Sequence, residues 1–190
     1  MSIMPTIRLR GGNDLIHAAR QLRKITKELH DAFDQAEIPL VIGGIDVSYN
    51  IHPEGAFRSH YQFHLWALAP YEAAQRGRAK LHELFPSTYK GQASAWVSEK
   101  KFDGRRSGYA YALKTEFVKR CTAPAHENSD GRLIRQNTRD KPLTVEQECR
   151  LLVMLHLLGP RGRLFLHGAE VASSGENREL AIRVSPTDEK

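Results

Sequence analysis

The chain has 190 residues, with 28 Lys and Arg against 22 Asp and Glu, a formal net charge of +6. Its 41% apolar and 26% charged residues are ordinary globular usage, which excludes a disordered chain and leaves ample length for a hydrophobic core. No apolar run approaches the roughly 20 residues that span a bilayer, the N-terminus lacks a signal-peptide stretch, and Cys121 and Cys149 form neither a zinc spacing nor a disulfide framework, so a cytoplasmic protein with reduced thiols is expected.

Residues 5–10 alternate as a short strand closed by Gly11-Gly12. Asn13 or Asp14 then caps a long amphipathic helix, in which Leu15, Ala19, Leu22, Ile25, Leu29 and Phe33 recur at helical spacing. That helix stops before Pro39, because the residue ahead of a proline disfavours the α region. Leu40 to Tyr49 is strand-like, His52 to Gly55 is a turn signal, and His60 to Leu68 is a second strand, so the two form an antiparallel hairpin. A helix over 71–85 follows Pro70 and stops at Pro86; 93–98 around Trp96 is a short strand. Lys100 to Arg106 is a basic loop, and Ser107 to Arg120 is helical. Thr144-Val-Glu-Gln147 is a capping box that opens a helix to Leu158, closed by Gly159-Pro160. Segments 164–167 and 180–184 make a final pair of short strands.

The expected fold class is α+β: a central antiparallel sheet of about five strands with helices packed on it, plus a C-terminal helix and short β extension. Residues 1–122 form the main domain, 123–142 a polar loop or linker, and 143–190 an appendage packed on the same domain.

Side chains alternate across a strand, so His60, Gln62 and His64 share one face while Tyr61, Phe63 and Leu65 take the other. Imidazoles four residues apart on a strand are about 13 Å apart. One ion can therefore take Gln62 with either His60 or His64. A hairpin turning near Glu54 or Gly55 sets Asp46 opposite Phe63 or His64. In the register that aligns the faces, Asp46 joins Gln62 and His64. A carboxylate, an imidazole and an amide oxygen suit Mg²⁺ or Mn²⁺, whereas zinc more often asks for another His or a Cys.

Tyr111 and Lys114, three apart, share a helix face. A lysine beside a tyrosine favours the phenolate, whose ordinary pKa near 10 otherwise keeps it protonated, and makes it a phosphodiester nucleophile. Tyr109 is the alternative nucleophile. Lys100, Lys101, Arg105 and Arg106 precede this helix and could hold a DNA backbone. From Ser98 to Arg120 there are seven Lys and Arg against three Asp and Glu, four of the six net charges. The plainer readings are polar strand positions for His60 and His64, sheet packing for Tyr111, and a helix-end cation for the Arg161-Gly-Arg163 turn.

In order and spacing, these features resemble the HUH-type endonucleases, closest in layout to the rolling-circle replication initiators of plasmids and phages. His60-Tyr61-Gln62 matches the glutamine form of the family's strand motif, Tyr111 to Lys114 matches its Tyr-x-x-Lys helix, and Asp46 stands where an acidic ligand is expected. The resemblance covers roughly Ile7 to Arg120. It implies an HUH or palm-like sheet and a divalent ion that polarises a scissile phosphate in single-stranded or hairpin DNA. Tyr111 would attack, leaving a 5′-phosphotyrosine and a free 3′-hydroxyl, with Lys114 positioning the phosphate. The sequence departs from the family in lacking the commoner His-x-His, in a first motif reduced to Thr6-Ile-Arg-Leu9, and in having no second tyrosine one turn after Tyr111. It also has no Gly-Lys-Ser/Thr phosphate loop, so a helicase and host replication proteins would come from other chains. The alternative is a non-catalytic HUH-like module that binds or regulates DNA.

Overall fold

The computed structural model describes residues 2–7, 15–51, 59–86, 95–97, 116–121, 126–127, 133–134, 139–159, 161–174 and 179–184. The elements in chain order are β1 (Ser2–Ile7), α1 (Leu15–Gln35), β2 (Val41–Ile51), β3 (His60–Leu68), α2 (Tyr71–Leu84), β4 (Ala95–Val97) and β5 (Val118–Cys121). Then come β6 (His126–Glu127), β7 (Leu133–Ile134), β8 (Arg139–Pro142), α3 (Val145–Leu158), β9 (Leu164–His167), β10 (Ala169–Ser174) and β11 (Glu179–Val184). The architecture is α+β around one central sheet.

The hairpin expected from the sequence is the middle of that sheet. β2 and β3 pair antiparallel from Ile42 with Leu68 to Asn50 with His60. β1 continues the sheet on the far side of β3, and β4 lies beyond it, both antiparallel. The other edge of β2 is shared: β9 runs antiparallel along Val41–Gly44, while β5 runs parallel along Ser48–Ile51 and carries β8 outside it. Among the described residues the sheet has seven strands, and it is mixed rather than antiparallel as expected, because β5 runs parallel to β2. A parallel neighbour requires a crossover rather than a hairpin, and the long stretch between β2 and β5 supplies one.

Period-two alternation decides which face the helices cover. Val41, Ile45 and Val47 of β2 and Tyr61, Phe63, Leu65 and Ala67 of β3 form one apolar row. Against it pack Leu22, Ile25, Leu29 and Phe33 of α1, Ala74 and Leu81 of α2, and Leu151 and Met154 of α3. α1 touches both other helices among the described residues. Each large side chain so buried contributes about 1.5–3 kcal/mol, and this row is the main source of the fold's stability.

Two local signals hold as expected. The Gln147 amide donates to Thr144 Oγ1 (3.3 Å) and the Thr144 amide donates to Gln147 Oε1 (3.0 Å), which completes the capping box of α3. Gly159 ends the helix with φ of 72°, a left-handed conformation that glycine adopts without a Cβ penalty. Gly43 is needed for a different reason. It sits between Ala67 of β3 and Phe165 of β9, and a Cβ there would collide with the Trp66 carbonyl oxygen.

Three expectations are corrected. Val118–Cys121 is a strand, not the end of a helix, because its backbone groups complete the exposed half of the β2 edge. Arg139–Pro142, read as part of a polar linker, is β8. All four of its residues are exposed, so ladder hydrogen bonds to β5 hold it without any apolar alternation that a sequence could display. Leu164–His167 does not pair with the last strand; it joins β2, and β11 pairs instead with β10.

Candidate functional site

The other row of the central hairpin is polar. Asp46, Ser48 and Asn50 alternate along β2, and His60, Gln62 and His64 along β3, all on the face opposite the helices. The register pairs Asp46 with His64, Ser48 with Gln62 and Asn50 with His60. Of the two partners expected for Asp46, Phe63 or His64, the structure selects His64. The row is deeply buried: Asp46 is 0% exposed, Ser48 1%, Gln62 and His64 7% each, and Asn50 8%. His60, at the strand end, is half-buried.

Desolvating polar groups costs free energy unless they bond to one another, and Ser48, Asn50, Gln62 and His64 do. Ser48 Oγ donates to Asn50 Oδ1 (3.3 Å), and Asn50 Nδ2 donates to Gln62 Oε1. Ser48 Oγ also lies 3.1 Å from His64 Nε2. A hydroxyl has one proton, so with that proton given to Asn50 it is His64 Nε2 that donates to Ser48 Oγ. The network turns Gln62 towards Asn50 and His64 towards Ser48, along the strands from the Asp46 end.

Asp46 has a cationic neighbour that the sequence did not disclose. Arg163, in the turn between α3 and β9, bridges the gap on the β2 edge between β9 and β5. Its carbonyl accepts from the Ile45 amide and its Nε donates to the Ile45 carbonyl, each at 2.8 Å. The side chain thus takes the place of a strand residue. Its guanidinium lies over the Phe117 ring, with Cζ 4.9 Å from the centroid. Burial lowers the Arg163 pKa from its ordinary value, and the Asp46 charge opposes that shift. An arginine stays protonated in such a setting, so Asp46 lies in the field of a fixed cation.

The donor types at this patch, one carboxylate, one imidazole and one amide oxygen, fit a hard divalent ion that retains water ligands. Asp46, His64 and Gln62 would hold it, sharing the Asp46 charge with Arg163. Among the described residues, no three His, Cys, Asp or Glu side chains form a group that could hold a metal ion. His60 is four register positions along from His64, opposite Asn50 rather than Asp46. The expected nucleophiles Tyr111 and Tyr109, the lysine Lys114, and the basic residues Lys100, Lys101, Arg105 and Arg106 lie outside the described residues.

Ser48 and Asn50 were legible in principle, since they continue the period-two line through Asp46. Arg163 was not, because its role depends on a strand edge 118 positions away in sequence.

A second polar cluster lies on the helix side. His30 Nδ1 of α1 and His167 Nδ1 of β9 are 3.1 Å apart, and His167 Nε2 is 3.6 Å from Asp34. Phe33 and Phe165 flank the two rings. Burial first, then the His167 charge, lowers the His30 pKa, against smaller upward pulls from Asp34 and Asp31. One proton between the two Nδ1 atoms makes a hydrogen bond; two set like charges against each other.

Comparison of the chain with family models, with curated proteins and with solved structures returns no match.

Proposed function

We propose that this chain nicks and rejoins single-stranded or hairpin DNA through a tyrosine-linked intermediate, in the manner of the HUH-type enzymes it resembles, and so initiates rolling-circle-type replication. The observation that supports this best is the hairpin register: it draws Asp46, Gln62 and His64 onto one buried patch of the sheet face opposite the described helices. A Mg²⁺ or Mn²⁺ ion bound there would polarise a phosphate oxygen. The Tyr111 phenolate attacks phosphorus, the bond to the 3′-oxygen breaks, and that oxygen takes a proton to leave as the 3′-hydroxyl. The 5′-phosphate stays on Tyr111, and reversal of the same step rejoins an end. Lys114 favours the phenolate, and Lys100, Lys101, Arg105 and Arg106 hold the strand by its phosphates. No helix among the described residues is long and apolar enough to cross a membrane, in keeping with a cytoplasmic replication enzyme.

A second reading has its own support. The Arg163 cation beside Asp46 answers the carboxylate without any metal, which suits a module that binds DNA and does no chemistry. Denaturing electrophoresis after incubation with labelled single-stranded and hairpin oligonucleotides in Mn²⁺ separates the two. Nicking predicts a covalent protein–DNA adduct that Tyr111→Phe abolishes and His64→Ala reduces by about 100-fold or more. An adduct that survives Tyr111→Phe but not Tyr109→Phe moves the nucleophile to Tyr109. Oligonucleotide binding with no adduct across a broad pool establishes the binding module instead.

A further inference from the structure

Helix α3 is apolar on two sides, and only one of them meets the core. Leu151 and Met154 are buried against α1 and the sheet, with Leu155 and Leu158 partly so. On the opposite side Val145 is 79% exposed, Leu152 55%, Val153 52% and Leu157 51%. Cys149 and His156 are exposed between them. A helix that is apolar all round is ordinarily enclosed on all sides.

The outward residues have the spacing of a helix-pairing seam. Val145, Cys149, Leu152 and His156 follow one another at intervals of four, three and four, the a/d pattern by which two helices interlock. Val153 and Leu157 widen it on one flank. On the other, Leu152 is continuous with a groove of about 520 Å³ between α3 and the β5–β8 edge, whose wall includes Phe117, Leu143 and Leu151. A second helix laid on the seam therefore meets an extended apolar surface rather than a single ridge.

Charge specifies what that helix is. The first turn of α3 carries Glu146 and Glu148, while its last turn carries His156, with exposed Arg161 just beyond. A copy of α3 laid parallel would set each glutamate on its own duplicate and align the two helix dipoles. Laid antiparallel, the acidic end of each copy meets the His156 and Arg161 end of the other, and the dipoles oppose favourably. Antiparallel pairing about a two-fold axis is also self-complementary, as a closed dimer requires.

We infer that α3 is the interface of a homodimer, in which the outward seams of two copies pack antiparallel with Cys149 of each opposite Leu152 of the other. A two-fold dimer presents two copies of the polar hairpin face, and thus two DNA-binding surfaces in fixed relation. That consequence rests on the proposed function; the dimer itself does not.

Sedimentation equilibrium of the full chain from about 1 to 100 μM tests this, since interfaces of modest size dissociate in that range. The expected result is a monomer–dimer equilibrium that Leu152→Glu weakens by about 30-fold or more. Circular dichroism should stay near that of the parent, because the residue is exposed in the folded monomer, while the melting temperature should lose its dependence on protein concentration. A Leu152→Cys variant under mild oxidation should form a disulfide-linked dimer through Cys149, and Cys149→Ser should remove that link. A chain that is monomeric throughout the range overturns the inference, as does a dimer that Leu152→Glu leaves intact. The nicking assay is scored separately on monomeric Leu152→Glu, so loss of the dimer and failure of the proposed chemistry give different results.

Discussion

The two faces of the β2–β3 hairpin are buried to nearly the same depth and held by opposite means. Ile45, Val47, Phe63 and Leu65 are no more than 3% exposed, and Asp46, Ser48, Gln62 and His64 no more than 7%. The first row excludes water and fills the space beneath the described helices. The second must replace the water it loses, and does so with the His64–Ser48–Asn50–Gln62 chain of hydrogen bonds and the Arg163 cation. An apolar row of the same shape would hold the sheet at least as well. The cost of burying a polar row is an argument for chemistry on that face, and the apolar row is where stability resides.

Substitutions can break this contrast, starting with the largest effect. Phe63→Ala opens a cavity in the apolar row and should cost about 3–5 kcal/mol in denaturant unfolding. Next is Arg163→Ala, which leaves Asp46 without its cation and the Ile45 carbonyl without a donor. About 2–4 kcal/mol is expected, discounted for the partial exposure of Arg163. The double variant Asp46→Asn with Arg163→Met should recover much of that loss while abolishing adduct formation. If the double variant still formed the adduct, Asp46 would not belong to the site. Ser48→Ala is milder, about 1–2 kcal/mol, because it takes the donor from Asn50 Oδ1 and the acceptor from His64 Nε2.

The smallest effect concerns pH. A histidine with a lowered folded pKa binds protons less readily than the unfolded chain does. Stability is therefore full above the unfolded value of 6.5. It falls as pH drops below that value towards the lowered one, where the fall ends. Melting temperatures measured from about pH 8 to pH 5 should decline across this window, and His30→Phe should flatten the part of the decline that His30 contributes. A profile identical in His30→Phe would remove the His30–His167 pair as its source.

Much of this was legible in the residues. The hairpin strands, the division of their two faces and the α3 cap all follow from local rules: alternation, the Asn50–Phe57 turn composition, and a Thr-x-x-Gln box. The pairing of Asp46 with a residue near His64 followed from where the turn had to lie. What misled was the stretch after Arg106. Val118–Cys121 continues a helical pattern in composition, and Arg139–Pro142 has no apolar alternation at all. Both are strands because the β2 edge offers them backbone partners.

The sequence by itself determined the periodicities, and with them which side chains share a face, the capped start and glycine end of α3, and that a carboxylate, an amide and an imidazole stand in one line. Only the tertiary structure decided what lies beside that line. It selected β9 and β5 as joint neighbours of β2, put Arg163 in the gap between them, and brought His30 to His167 across 137 residues. The physical reason is range. Local pattern records backbone geometry and hydrogen bonds within a few residues, whereas the partner of a strand edge or a buried charge is chosen by which surfaces the whole chain can bury at once.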